Sequence, residues 1–196
     1  MFPSSHDIVP EFKYECFEII EKLLNAGNSI LITSKPYYSV IRELCETFQD
    51  YRPKIQFRFT ITSLNNELLN FWEEDAPSFE ERLDSLKYAY KMKFKTSVSI
   101  EPFIDLDPVP LVKKLYPYIS ETIWIGKMNY IDRINLKERE IEFFDAIREN
   151  YTINNIQKII NKLKQFKKVR YKDSIKRLNI AVPSYQIPEV KYHLNH

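Results

Sequence analysis

Five short polar clusters carry the chemistry legible in this chain: Ser4-Ser5-His6-Asp7, Thr33-Ser34-Lys35, Thr62-Ser63-Leu64-Asn65, Glu101-Pro102 and Lys127-Met128-Asn129. Gathered at one mouth, they would offer hydroxyls, amides, a lysine and carboxylates. That set suits a zwitterionic, ribose-bearing ligand: the lysine pairs with a carboxylate, an acidic group with an amine, and hydroxyls or amides with sugar oxygens. A plainer reading stands beside it, because Ser, Thr, Asp and Asn are the usual residues at helix starts and each cluster could simply cap the helix that follows it. Asp7 is placed for such a cap. Lys35 is not, since it directly precedes Pro36 and caps nothing.

The elements that would position these clusters alternate. Residues 10–26 put Phe12, Cys16, Ile19, Ile20, Leu23 and Leu24 on one helical face, with Gly27 as the stop. Residues 29–33 form a short apolar run of the kind a strand buried on both faces shows. Pro36 then opens a helix with Val40, Ile41, Leu44, Cys45 and Phe48 inward. A β-rich run follows at 54–62, and a helical region restarts at Ser78, where Glu81 completes a capping box. Strand 95–100, helix 108–118 and strand 121–125 come next, then helices at 136–149 and 152–166. The tail after Asn179 has no helical period. Strands separated by connections of helical length imply a parallel sheet with helices outside, as an open doubly wound sheet or a (β/α) barrel. In both, function gathers at the carboxyl ends of the strands, where the polar clusters fall.

Composition narrows the classes. A chain of 196 residues with 44% hydrophobic and 29% charged residues suits a folded domain. Its two glycines leave no Gly-rich phosphate loop. No apolar run reaches the length of a membrane span, and no secretory leader is legible, so a cytoplasmic location is expected. Cys16 and Cys45 fall at apolar positions of helices and read as buried packing residues.

The series SSHDI, ILITSKP, FRFTITSLN, WEEDAPSFEERLDSLKYAY, TSVSIEPFID and ETIWIGKMNYI resembles the radical SAM superfamily, in the branch similar to spore photoproduct lyase and other DNA-repair-photolyase-like proteins. The resemblance covers residues 2–131, with a weaker echo in VRYKDSI. It implies an α/β fold: a partial (β/α) barrel over residues 1–131, lacking the first βα unit, and a helical carboxyl-terminal extension and tail over 132–196. It also implies S-adenosylmethionine bound across the strand tops. Ser5 and Lys35 match positions at the methionine end of that cofactor, Thr60 and Thr62 the ribose-side strand, and Glu101 a position beside the adenine and the substrate. Arg58, Glu73 and Arg82 belong to the branch's signature. For Glu73 and Arg82 an ion pair tying a loop to its helix is an equal reading. Trp72 and Trp124 read as core residues rather than as a substrate platform.

One departure bears on activity. The family holds a [4Fe-4S] cluster through C-x3-C-x2-C, and this chain has no such motif; two helical cysteines cannot supply the three thiolates required. The expectation is a radical SAM-type carboxyl-terminal part, catalytically incompetent alone, with MFPSSHDI as the end of a second strand. The strand at 30–34 would then lie near an open edge and recruit an amino-terminal segment or a second copy. A non-catalytic binding module on a degenerate barrel is the alternative, contacting nucleic acid through the basic region that holds Lys158, Lys162, Lys164, Lys167, Lys168, Arg170, Lys172, Lys176 and Arg177. A solvated helix face is the commoner account of such a region. A cluster-free lyase or hydrolase is weakest, since only His6 of the three histidines falls at the rim.

Overall fold

A computed structural model describes residues 1–3, 6–129 and 140–183. The chain is α/β, with α1 (Lys13–Asn25), β1 (Ile30–Ser34), α2 (Tyr38–Thr47), β2 (Ile55–Thr60), α3 (Asn66–Trp72), α4 (Phe79–Lys91) and β3 (Lys95–Ile100) in its first half. There follow α5 (Val109–Leu115), β4 (Ile123–Ile125), α6 (Ile141–Asn150), α7 (Ile153–Leu163), β5 (Val169–Tyr171) and α8 (Asp173–Lys176). The five strands form one all-parallel sheet in the order β1-β2-β3-β4-β5. Strand order equal to chain order has no reversal point, so right-handed crossovers carry every connecting helix to the same face. Helices at 141–150 and 153–163 match the sequence reading. β5 is the strand that reading does not name, and it extends the sheet past residue 131. The last 13 residues of the tail, 184–196, lie outside the described residues.

Alternation makes the two faces different. Ile30, Ile32, Ile55, Phe57, Phe59, Val98, Ile100, Ile123, Ile125 and Val169 are buried beneath the helices. Their neighbours Leu31, Thr33, Gln56, Arg58, Thr60, Trp124 and Arg170 are half-buried on the opposite face. The helix layer contributes Ile20, Leu24, Leu44, Cys45, Leu83, Leu86, Leu111 and Leu115 to the same core.

Some local expectations shift on inspection. α1 buries Cys16, Phe17, Ile20 and Leu24, while Phe12 and Ile19 face solvent, so its apolar stripe is rotated toward Phe17. Gly27 stops it, at φ 89°. The Gly27 N–H donates to the Leu24 carbonyl (2.9 Å) and the Asn28 N–H to that of Leu23 (3.1 Å); this is the Schellman arrangement, which favours glycine because the left-handed region penalises a Cβ. At α4, Ser78 Oγ accepts from the Glu81 N–H (3.3 Å), but the Glu81 carboxylate does not return to Ser78. It accepts from the Tyr38 N–H at 3.0 Å, capping α2 from another element. The outer edge of β1 carries one isolated bridge. The Phe2 N–H donates to the Leu31 carbonyl (2.8 Å), and the Thr33 N–H donates to that of Phe2 (2.9 Å).

Between β2 and α4 lies a buried ion pair. Arg82, with 0% side-chain exposure, sets Nη1 2.5 Å from Glu73, which is 9% exposed. Its Nε donates to the Pro77 carbonyl at 2.7 Å and its Nη1 to that of Thr60 at 3.3 Å. Thr62 Oγ1 donates to the other Glu73 oxygen at 2.9 Å. Of the two sequence readings of Glu73 and Arg82, the tie between loop and helix is the geometry found. Breaking a buried pair leaves an uncompensated charge, so Arg82→Met should destabilise the fold by about 3–5 kcal/mol. Adding Glu73→Met should recover part of that loss. Urea unfolding of the two variants measures both; equal stability of Arg82→Met and wild type would show that the pair is dispensable.

Candidate functional site

The carboxyl end of β1 meets the amino-terminal segment through Asp7. Its Oδ1 accepts from the Lys35 N–H (2.7 Å) and from Ser34 Oγ (3.2 Å), and its Oδ2 pairs with Lys35 Nζ at 3.2 Å. Ser34 Oγ in turn accepts from the Ile8 N–H at 3.1 Å. Asp7 therefore does not cap the helix after it; it closes the loop onto the strand end. The Lys35 and Asp7 side chains are each 31% exposed, so this pair reaches solvent. It opens into a depression of about 210 Å³ whose wall includes His6, Thr33, Ser34 and Thr60.

The expected site residues thus separate. Lys35 and Thr60 share the depression. Thr62, fully buried, is held by Glu73 beneath it. Ser5 lies outside the described residues. Glu101 stands farther along the rim, where Lys172 Nζ approaches at 3.0 Å and Ser174 Oγ donates at 3.3 Å. Sequence reasoning finds neither Lys172 nor Ser174 as its partners, because they come from the far end of the chain. The remaining cluster residues behave as caps and braces. Asn65 Oδ1 accepts from the Glu67 N–H at 2.8 Å at the start of α3, and Ser63 Oγ donates to Asp105 at 2.5 Å. Burial raises the Asp105 carboxyl above its ordinary range, opposed by the Ser63 hydroxyl and the Leu64 N–H.

The second glycine makes room for Glu101. A Cβ at Gly126 would stand 2.4 Å from Glu101 Oε1 and 2.6 Å from its carboxyl carbon. The sheet face opposite the helix layer lies beside this point. There Trp124, expected in the core, is half-buried and faces cations: the Arg58 guanidinium carbon is 5.5 Å from its ring centroid and Lys172 Nζ 5.7 Å. Trp72 does pack inward, 4.7 Å from Phe144 between α3 and α6. The basic carboxyl-terminal stretch spends several charges internally: Lys162 on Asp107 (2.6 Å), Lys176 on Asp173 (3.4 Å), Lys172 on Glu101.

The residues do not fit an iron–sulfur cluster. Cys16 and Cys45 are buried in the helix layer on α1 and α2, and desolvation raises both thiols, holding them protonated. Among the described residues no group of three or more His, Cys, Asp and Glu is placed to hold a metal ion, and no helix is long and apolar enough to cross a membrane. Comparison with known proteins gives no match: no family model, no curated protein and no solved structure.

Because the Gly126 backbone abuts the Glu101 side chain, Gly126→Ala should expel that carboxylate and free Lys172. Overpacking of this kind costs about 1–3 kcal/mol. In the double variant with Glu101→Ala the loss should shrink, since the clashing atoms are gone. Denaturant unfolding of the four proteins in the cycle is the measurement, and strictly additive losses would refute the contact.

Proposed function

We propose that this chain is a binding module for S-adenosylmethionine, built on a partial (β/α) barrel of the radical SAM type, and that it performs no chemistry alone. The observation that supports the reading is the Lys35–Asp7 pair at the mouth of the depression shared with Thr60. An α-amino acid carries a carboxylate and an ammonium on one carbon, and adjacent Lys and Asp side chains answer both charges. Thr60 stands on the next strand, where a ribose hydroxyl would find its Oγ1. Glu101, held by Lys172 and Ser174, marks the far side of the same rim for the adenine or a second ligand. Since two buried thiols cannot hold a [4Fe-4S] cluster, no bond cleavage is assigned to this chain. A cytoplasmic location belongs to the same proposal and rests on the sequence alone. Nucleic acid through the basic region has no separate geometric observation in its favour.

Titration calorimetry with S-adenosylmethionine tests the reading. Lys35→Ala should weaken binding by about 1.5–3 kcal/mol, the range for a hydrogen bond to a charged group. No heat with wild type, or the same affinity for the variant, would overturn it. The β1 edge adds a second expectation. Among the described residues only Phe2 bonds the β1 backbone on that side, and an edge so lightly covered recruits another strand. Sedimentation over a wide concentration range should show self-association, relieved by an added peptide that pairs with β1; a monomer at every concentration would show the edge to be protected.

A further inference from the structure

Two buried donors on the sheet face opposite the helix layer lack an acceptor among the described residues: Arg58 Nε and Trp124 Nε1. Both groups only donate, so nothing but an acceptor can satisfy them. Arg58 starts on β2 in register with Ser97, and Thr60 pairs along the same strand with Ser99, which itself pairs with Trp124 on β4. Ser97 and Ser99 are the small side chains of the intervening strand, and across them Arg58 reaches the indole. Desolvation lowers the Arg58 guanidinium, and no carboxylate of the described residues counters it. This sets it apart from Arg82, which also has an orphaned nitrogen but is neutralised by Glu73. Among the described residues the carboxylate beside this face is Glu101, already held by Lys172 and Ser174. A cation–π contact with Trp124 leaves both N–H groups unmet and does not offset the cost of leaving buried donors without an acceptor.

We propose that Arg58 and Trp124 form an oxyanion receptor, taking a phosphate or carboxylate group of a small ligand on the sheet face opposite the helix layer, where both residues are half-buried. The guanidinium supplies charge and a directional fork, and the indole supplies one further donor from the neighbouring side. Two residues along a strand span about 7 Å, so the receptor lies one step below Thr60 and would meet a ligand deeper than the depression at Lys35. It does not rest on the S-adenosylmethionine reading: the residues are different, and so is the probe.

The experiment is an NMR titration of the full chain with inorganic phosphate and, separately, with acetate, at ionic strength held constant with chloride. The indole N–H signals of Trp72 and Trp124 are assigned with Trp72→Phe. One or both anions should move the Trp124 signal saturably while Trp72 stays still, and the anion that does so identifies the source. Arg58→Met should weaken that response by about tenfold or more, as expected for loss of a charged hydrogen-bond donor. Linear, chloride-like shifts with both anions would overturn the proposal, as would an unchanged response in Arg58→Met. Melting temperature gives the second readout. Arg58→Met, relieved of an unpaired charge, should melt at or above the wild-type temperature, and the active anion should raise only the wild type. A lower melting temperature for Arg58→Met, with no anion effect on the wild type, would assign Arg58 to the fold instead.

Discussion

The Arg82 guanidinium is the constraint on which the rim depends. Fully buried, it must find acceptors, and it finds them in three separate pieces of chain: the Thr60 carbonyl at the end of β2, the Glu73 carboxylate after α3, and the Pro77 carbonyl before α4. A single side chain on α4 therefore fixes where β2 ends, where α3 ends and where α4 begins. Glu73 passes the constraint on to Thr62, so the loop leaving the sheet is tied at both sides. In a desolvated setting such an interaction specifies geometry more than it adds stability, because desolvation of both ions offsets much of their attraction.

The same side chain is used in the opposite sense one layer away. Among the described residues Arg58 has no counter-ion, while several polar groups near the helix side are met: Ser34 by Asp7 and Ile8, Thr96 by Ser120 and Tyr118, Asn150 by the Ile104 carbonyl. Arg82 keeps one orphaned nitrogen as well, but its charge is met by Glu73; an unmet donor on a charge with no counter-ion is the kind of cost a scaffold keeps where contact with something else is made. Gly126 belongs to that scaffold too, since its missing side chain is what admits Glu101.

The alternation of strand and helix was legible because apolar runs such as 30–32 and helical periods such as 40–48 are strong local signals. β5 escaped notice because three residues, Val169–Tyr171, among lysines show no period of their own; their place is set by pairing with β4. Pairings between distant positions were equally hidden. Asp7 with Lys35, Glu81 with the Tyr38 N–H and Glu101 with Lys172 each satisfy a charge or a donor that tertiary packing brings close. The strand period does place Arg58 and Thr60 on one face, but the register that brings Trp124 to them across β3 is not written in either segment. Lys35 stood out because Pro36 excluded it from capping, and the structure sets it at the depression.

Strand order has a consequence for how the chain is made. Each strand pairs with the one synthesised just before it: Ile55 with Ile30, Thr96 with Phe57, Ile123 with Val98, Val169 with Ile123. Every new βα unit emerging from the ribosome thus meets a finished edge, and the sheet can grow by accretion without waiting for a distant segment. β5 closes the longest of these intervals with only three residues, as few as β4, so it docks last of the five strands and with little pairing to hold it. The half of the rim built on β5 and α8, which delivers Lys172 and Ser174 to Glu101, is accordingly the last part of the molecule to acquire its shape.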